Sequence, residues 1–408
     1  MAGALAGYRV LDLSRILAGP WASQLLADLG AEVIKIERPG QGDDTRSWGP
    51  PYMPDREGEP GSESAYFHGA NRGKFSVCID MAKPGGQELI RNLALESDVL
   101  IENFKVGGLK KYALDYETLK LVNPKLVYCS ITGFGQTGPY AERAGYDFMI
   151  QAMGGLMSIT GEAEGQPMKV GVALADILTG LYAANAIQAA LIHRQQSGRG
   201  QYIDLALLDV QVATLANQAM SYLATGNNPQ RLGNAHPSIV PYQAFETIDG
   251  FIILAIGNDT QFERFCDLAA KPDLASDPRF QKNRDRVQNR DLLIPQLAEV
   301  MRSQTTDWWL DELNHKGIPC GPINNIDQVF ADPQVRHRGM QRELDHPVAG
   351  KVPSVGNPIQ FSETPVEYHR APPMLGQHTD QVLSEVLGMN SDQIGRLRAE
   401  EVISQGSS

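Results

Sequence analysis

Apolar positions along the chain switch between two spacings. YRVLDLS (8–14) and EVIKIE (32–37) carry the dense, alternating apolar pattern of strands. Between them WASQLLADLG sets Trp21, Leu25, Leu26 and Leu29 on one stripe at helical spacing. Pro20, in the turn AGP, suits the first helical position, and Gly30 ends the helix. Strand, helix, strand over 8–37 is a βαβ unit, and its short connections require parallel strands. The rhythm recurs in FSVCIDM, PGGQELIRNLALESD, VLIENF, KVGGLKKYALDYETLKLVNP and LVYCSITGFG, alternating strand with helix or loop and helix. The pattern predicts an α/β fold with an open, mostly parallel, Rossmann-like sheet. Ligands of such sheets sit beyond the carboxyl ends of the strands.

Further on, KVGVAL reads as a strand end and ILTGLYAANAIQAALIHR as a largely buried helix. SGRGQ breaks the chain, and YIDLALLDVQVATLANQAMSYLAT ends in a second long helix. After the polar loop GNNPQRLGNAHPSIVPYQAF, FETIDGFIILAIGN reads as a hairpin, helices follow to about residue 317, and IPCGPINNI reads as a return crossing. The tail reads as strands and one final helix. The organisation predicted is a large domain over 1–205 completed by 325–408, a linker helix over 206–224, and a smaller α+β domain over 225–324.

Composition narrows the picture. With 408 residues, 42% hydrophobic and 21% charged, the chain is an ordered globular protein of about two domains. A net charge of −12 with no dominant basic footprint argues against a nucleic-acid partner. Cys78, Cys129, Cys266 and Cys320 form no CxxC pair, so neither a disulfide framework nor a zinc site is expected; Cys78 and Cys129 sit in strand-like runs as core thiols. The start has no charged segment followed by an apolar one, as a signal peptide would. The longest apolar helix, Ile177–Ile192, is interrupted by Asn185 and Gln188, which argues against a membrane span. These features predict a cytoplasmic protein with no metal and no membrane partner.

Several chemistries lack their motifs. No GxxxxGK[ST], GxSxG or HExxH is present, and the first turn reads SRILAGPW rather than GxGxxG, although Glu37 stands where a ribose-binding acid would. What remains are polar residues around the predicted strand ends: Arg38 after EVIKIE, Arg72 and Lys74 before FSVCID, Asn103 and Phe104 after VLIE with Lys105, Lys110 and Lys111 close behind, and Thr132, Gly133 and Phe134 after YCSI. Each basic residue alone reads first as a solvated charge; as a set they suit a phosphate-rich ligand. Phe104 suits either a base stack or the core. Asp176, in GVALADILTG, stands at the start of an apolar helix. There an aspartate serves as an N-cap, or as a carboxylate nucleophile held at the positive end of the helix.

Over essentially its whole length the chain resembles the class III CoA-transferases, the family of formyl-CoA and carnitine CoA-transferases. The motifs are VLDLSRILAGPWASQLLADLGAEVIKIERP, ANRGKFSVCID, DVLIENFKVGG, YCSITGFGQTGPY, KVGVALADILTGLYAA, SGRGQYIDLALLD and PMLGQHTDQVLSEVLG. The resemblance implies that Asp176 is the nucleophile. It also implies that Ile16, Leu17, Ala18, Arg38, Asn71, Arg72, Gly73, Lys74, Asn103, Phe104, Lys111, Thr132, Gly133 and Phe134 contact CoA. CoA thioesters would be substrates, with no permanently bound cofactor, and the enzyme would be an interlocked homodimer. RLGNAHPSIVPYQ replaces the glycine loop of the formyl-CoA branch, and Leu17 and Thr132 replace a glutamine and a lysine seen there. The likeness is instead to succinyl-CoA-dependent enzymes acting on dicarboxylates, glutarate first and itaconate next. Arg46, Arg231 and His236 are candidates for the distal carboxylate. The rivals are a formyl-CoA/oxalate-type transferase, a 2-methylacyl-CoA racemase, a non-catalytic CoA-thioester binder and an NAD-linked oxidoreductase. The racemase reading lacks its histidine, since the motif here is AGYD with Tyr146 and Asp147.

Overall fold

The computed structural model describes residues 3–404. The chain divides into two compact units: 1–156 with 170–219 and 334–408, and 157–169 with 220–333. The second unit thus takes in 157–169 together with 220–333.

The first unit is built on a seven-stranded sheet. Its strands are β1 (Arg9–Asp12), β2 (Glu32–Glu37), β3 (Lys74–Ile79), β4 (Val99–Glu102), β5 (Val127–Thr132), β6 (Tyr202–Ala206) and β7 (Ile403–Ser404). The spatial order is β7-β3-β2-β1-β4-β5-β6, with every pair parallel except β7 on β3. Apart from the added edge strand, this is the doubly wound order, whose direction of winding reverses between β1 and β4. Strands β3, β4 and β5 are buried along their whole length, as central strands covered on both faces must be. One face packs Leu11, Ile34, Val77, Leu100 and Tyr128 against the helix Pro84–Leu95 and the C-terminal helices. The other packs Val10, Val33, Ile101 and Cys129 against α1 (Ala18–Asp28) and α3 (Leu174–Ser197).

Helix α3 corrects two expectations. Residues 170–173 form no strand before it, and only Ala175, Thr179, Gly180, Ala183, Ala184, Ile187, Ala190 and Leu191 of its 24 residues are buried. Leu181, Tyr182 and Ile192 stay 45–59% exposed, so part of this helix's apolar surface is left uncovered by the described residues. The helix is long and apolar enough to cross a membrane by composition alone, yet its small-residue face is a core layer against α1. A Cβ on Gly180 would stand 2.8 Å from the Ala18 carbonyl oxygen, so glycine permits that close crossing. The expected second long helix is broken into Leu207–Ala213 and Ala216–Thr225, and the tail ends in two helices, Thr379–Leu387 and Ser391–Ala399.

The second unit holds the expected hairpin, Tyr242–Glu246 with Phe251–Ala255, and Cys320–Pro322 adds an antiparallel third strand. Helices bearing Phe262, Phe265, Leu297, Trp309 and Leu313 close its core.

Candidate active site

Strands β1 and β4 open onto the crevice where ligands of doubly wound sheets bind. The loop after β1 is held from two sides. The Asn103 side chain, just past β4, accepts the Arg15 N–H at 3.0 Å and donates to the Arg15 carbonyl at 2.7 Å, so one amide bridges the crevice floor. On the other side the Asp43 carboxylate accepts the Ile16 N–H at 3.2 Å, and Lys35 pairs with Asp43 at 2.9 Å in full burial. Burial works against the Asp43 charge, but Lys35 and the Thr45 bonds hold its carboxyl down to about 2. Between these anchors Ile16 adopts φ 73°, a left-handed conformation unfavourable to a β-branched residue. Leu17 and Ala18 follow at the start of α1, where N–H groups lack intrahelical partners.

Helix α3 runs parallel to α1, and both begin at the carboxyl edge of the sheet. Here the capping expectation fails. Asp176 is the third residue of α3, not its cap, and the capping position, Ala173, has no side chain for the task. Asp147 takes the role from α2 (Asp147–Met153): its Oδ1 accepts the N–H of Ala175 at 2.8 Å and of Asp176 at 3.4 Å. Its other oxygen accepts from Gln151 at 2.8 Å. The Asp176 carboxylate is left with no hydrogen-bond partner among the described residues. Burial, and then the charge of Asp147, push it up to about 7. Tyr66 lies within the field of both acids, and its hydroxyl is pushed up to about 12, first by burial. Its ring meets Trp48 edge-on at 5.3 Å. A half-buried, unbonded carboxylate at a helix N-terminus is basic when ionised and ionisable near neutral pH, the properties a carboxylate nucleophile requires.

The other expected residues divide into groups. Arg38 lies exposed beyond β2, and Lys111 is exposed with its ammonium over the Tyr112 ring at 4.6 Å. Phe104 is half-buried under Arg15, and Thr132, Gly133 and Phe134 lie at the end of β5. All four sit on the same edge as Asp176. Arg72 and Gly73 do not: they precede β3 and lie beside the last turn of α1. Lys74 opens β3, and its ammonium, bonded to Asn71, reaches back to the end of β1 and the first turn of α1. Arg72 pairs with Asp28 at 2.6 Å, and Lys74 is fully buried on Asp12, Asn71 and the Pro20 carbonyl. These cations are already neutralised inside the fold; what β3 delivers to the ligand edge is Asp80 to Lys83. Arg46 is also committed. Its guanidinium forks onto Glu37, reaches Glu63 and stacks on Phe67 at 3.7 Å. Arg231 and His236 belong to the second unit: Arg231 donates to the Glu162 and Gly165 carbonyls, and His236 Nδ1 accepts the Ser238 N–H.

Sequence reading missed Asp147 as a partner of Asp176, because 29 residues separate them. It also missed a cluster of Glu63, His68 and His346, whose side-chain donor atoms lie within 4.8 Å of one another. The hydrogen bonds there favour a proton over a metal ion. His346 Nδ1 accepts the Ala349 N–H at 3.0 Å, so the neutral ring carries its proton on Nε2, facing Glu63. Arg46 occupies the other Glu63 oxygen.

Comparison with known proteins agrees with this architecture. Residues 5–379 match the family model described as CoA-transferase family III. The chain is 53% identical to a succinate–glutarate CoA-transferase of Agrobacterium fabrum, over 94% of this chain and 95% of that protein. It is 45% identical to a human succinyl-CoA:glutarate CoA-transferase, over 98% of this chain and 90% of that one. A crystal structure of a CAIB/BAIF family protein from Brucella suis superposes with a TM-score of 0.84 at 52% identity, covering 95% of this chain and 100% of that chain. The chain belongs to CoA-transferase family III.

Proposed function

We propose that this enzyme transfers CoA from succinyl-CoA to glutarate, with Asp176 as the nucleophile. The observation that carries the residue assignment is the capping exchange at α3. Asp147 satisfies the helix N-terminus and leaves the Asp176 carboxylate unbonded. The substrates follow from the activities named for relatives at 53% and 45% identity over nearly the whole chain.

The chemistry exchanges one thioester for another of similar energy, so the obstacle is kinetic. Asp176 attacks the succinyl-CoA carbonyl; the C–S bond breaks, CoA leaves as thiolate, and a succinyl–aspartyl anhydride forms. The thiolate attacks the aspartyl carbonyl of the anhydride, releasing succinate and leaving an aspartyl–CoA thioester. A glutarate carboxylate attacks that thioester and expels the thiolate again. The thiolate then takes the glutaryl carbonyl, which yields glutaryl-CoA and frees Asp176. The first N–H groups of α1 would receive these oxyanions, since those of α3 are taken by Asp147 and the Val172 carbonyl.

The uncovered face of α3, with Leu181, Tyr182 and Ile192 exposed, supports the interlocked homodimer that the family resemblance implies. Light scattering near twice 44.6 kDa is the expected result.

The test mixes purified protein with succinyl-CoA and glutarate, itaconate, mesaconate, oxalate, carnitine or acetate, and reads new acyl-CoA by mass spectrometry. Glutaryl-CoA is expected, and it should disappear in Asp176→Asn while the thermal midpoint stays unchanged or rises, because the lost charge was half-buried beside Asp147. A variant that retained most of its turnover would refute Asp176 as nucleophile.

A further inference from the structure

A dicarboxylate needs a cation for the carboxylate that does not react. Among the sequence candidates, Arg46 is fully engaged in the fold, and Arg231 and His236 are tied within the second unit. The edge of the sheet that bears Asp176 carries another guanidinium.

Arg143 lies on the segment that joins the end of β5 to α2. That segment is pinned at two points. Gly145 lies against Gly133 so closely that a Cβ on Gly133 would stand 2.5 Å from the Gly145 Cα. Two residues on, Asp147 caps α3 beside Asp176. Four residues of chain span at most about 14 Å, so Arg143 is tethered within that reach of Asp147, the neighbour of Asp176. Arg143 is exposed, and its guanidinium lies beside a pair of rings, 5.2 Å from the centre of Phe134 and 4.5 Å from that of Tyr140, which meet each other edge-on at 5.5 Å. Beyond that, its one polar contact among the described residues is with the Met153 sulfur at 4.0 Å, a weak acceptor. Among the described residues it has no carboxylate partner, whereas Arg15, Arg46, Arg72 and Arg194 on this unit each have one. A guanidinium beside aromatic rings and without a carboxylate partner keeps its forked N–H donors free for a planar anion.

We propose that Arg143 is the specificity residue that receives the distal carboxylate of the dicarboxylate substrate, and so sets the preference for dicarboxylic over monocarboxylic acids. This rests on the succinyl-CoA:dicarboxylate reading above. The alternative anion on the same substrates is a CoA phosphate, and the test separates the two.

The experiment compares two acceptors of equal length under saturating succinyl-CoA: glutarate, and glutaramate, in which the distal carboxylate is an uncharged amide. The donor contribution then cancels in the ratio of their kcat/KM values. Arg143→Gln is expected to lower the glutarate-to-glutaramate ratio by roughly 10- to 100-fold, the scale of one lost charge-assisted hydrogen-bonded pair. Arg143→Lys should recover part of it, since the charge returns without the fork. Binding of free CoA should be unchanged. An unchanged ratio with weakened CoA binding would assign Arg143 to a phosphate, and an unchanged ratio with unchanged CoA binding would make it a surface residue; either overturns the proposal. Failure of the wild-type enzyme to use any dicarboxylate would instead strike the parent reading, and is seen before any variant is made.

Discussion

Replacing Asp147 by Asn separates its two effects on Asp176, the cap and the charge. Asn is as good a helix cap as Asp, so its side-chain oxygen can still take the Ala175 N–H. The negative charge beside Asp176 disappears. Asp176 stands at about 7 in the intact site, from burial first and Asp147 second. At pH 6 only about a tenth of the enzyme would then carry the attacking carboxylate, and kcat/KM should fall close to tenfold per pH unit below that. Removing a like charge at short range lowers a carboxyl pKa by roughly one unit or more, while the burial contribution stays. The acid limb of the profile should therefore move down by about one unit without reaching the ordinary carboxylate range. Relative to its own plateau, the variant at pH 6 should rise from about a tenth to about a half. The assay is the pH dependence of kcat/KM for succinyl-CoA, which reports the free enzyme. Working within one variant removes any general loss of activity. Such a loss is expected, because Gln151 now donates toward an amide nitrogen or must turn, at a cost of about 1 kcal/mol. A limb that stays in place or moves up would refute the claim that Asp147 raises Asp176.

Arg46→Ala should act on stability rather than on the acceptor KM: it leaves Glu37 and Glu63 as uncompensated buried charges, at a cost of about 3–5 kcal/mol. A normally stable variant with a raised glutarate KM would restore Arg46 as a substrate cation. Asn103→Ala removes both bonds that tie the loop after β1 across the crevice, so KM for succinyl-CoA should rise by roughly 5- to 100-fold with little change in urea midpoint; an unchanged KM would remove the clamp from the site. Glu102 is buried and pushed up to about 7, chiefly by desolvation, so it is neutral in the fold at pH 5 but must ionise at pH 8. Because its folded pKa lies above the unfolded one, the wild type loses stability as pH rises from about 4 toward 7. The gain from Glu102→Gln should therefore be larger at pH 8 than at pH 5, by on the order of 2–3 kcal/mol in urea unfolding, and an equal gain at both would contradict the shift.

The sheet was legible because strong local patterns specify it. Apolar runs of four to six residues, each followed by a turn and an amphipathic helix, can hardly pack other than as parallel strands with helices on both faces. The elements that sequence reading misplaced depend on contacts that are distant in the chain. KVGVAL has strand composition, yet Val170 gives its N–H to the Gln151 side chain, and no strand forms. ILTGLYAANAIQAALIHR is apolar enough for a buried helix, but within one chain the sheet and α1 cover one side of it. The run Asn71–Lys74 shows the same limit. Its cations looked available because they flank a strand, but only the direction of β3 tells which end of the sheet they reach. Arg72 reaches the end where α1 finishes and pairs with Asp28, whereas Lys74 reaches back to Asp12 and the Pro20 carbonyl, under the loop after β1.

Asp176 stands out by its local context, but what leaves its carboxylate free for the proposed attack is not local. A lone aspartate before an apolar helix is ordinarily a cap, and a cap is held by the N–H groups it satisfies. Such a carboxylate would be a poor nucleophile, since its lone pairs would be engaged and its charge stabilised. A second acid resolves this conflict. Asp147, 29 residues earlier, takes the N–H groups of Ala175 and Asp176, which shifts the capping duty off the reactive residue and places a like charge beside it. The same substitution of roles explains why the site needs no buried cation next to Asp176. The ammonium groups of Lys35 and Lys74 are spent on Asp43 and Asp12 beneath the loop after β1. A cation paired directly with Asp176 would depress its pKa and its basicity. Leaving Asp176 half-buried, beside another carboxylate and at the positive end of α3, keeps it ionisable near neutral pH, as the proposed attack on a thioester requires.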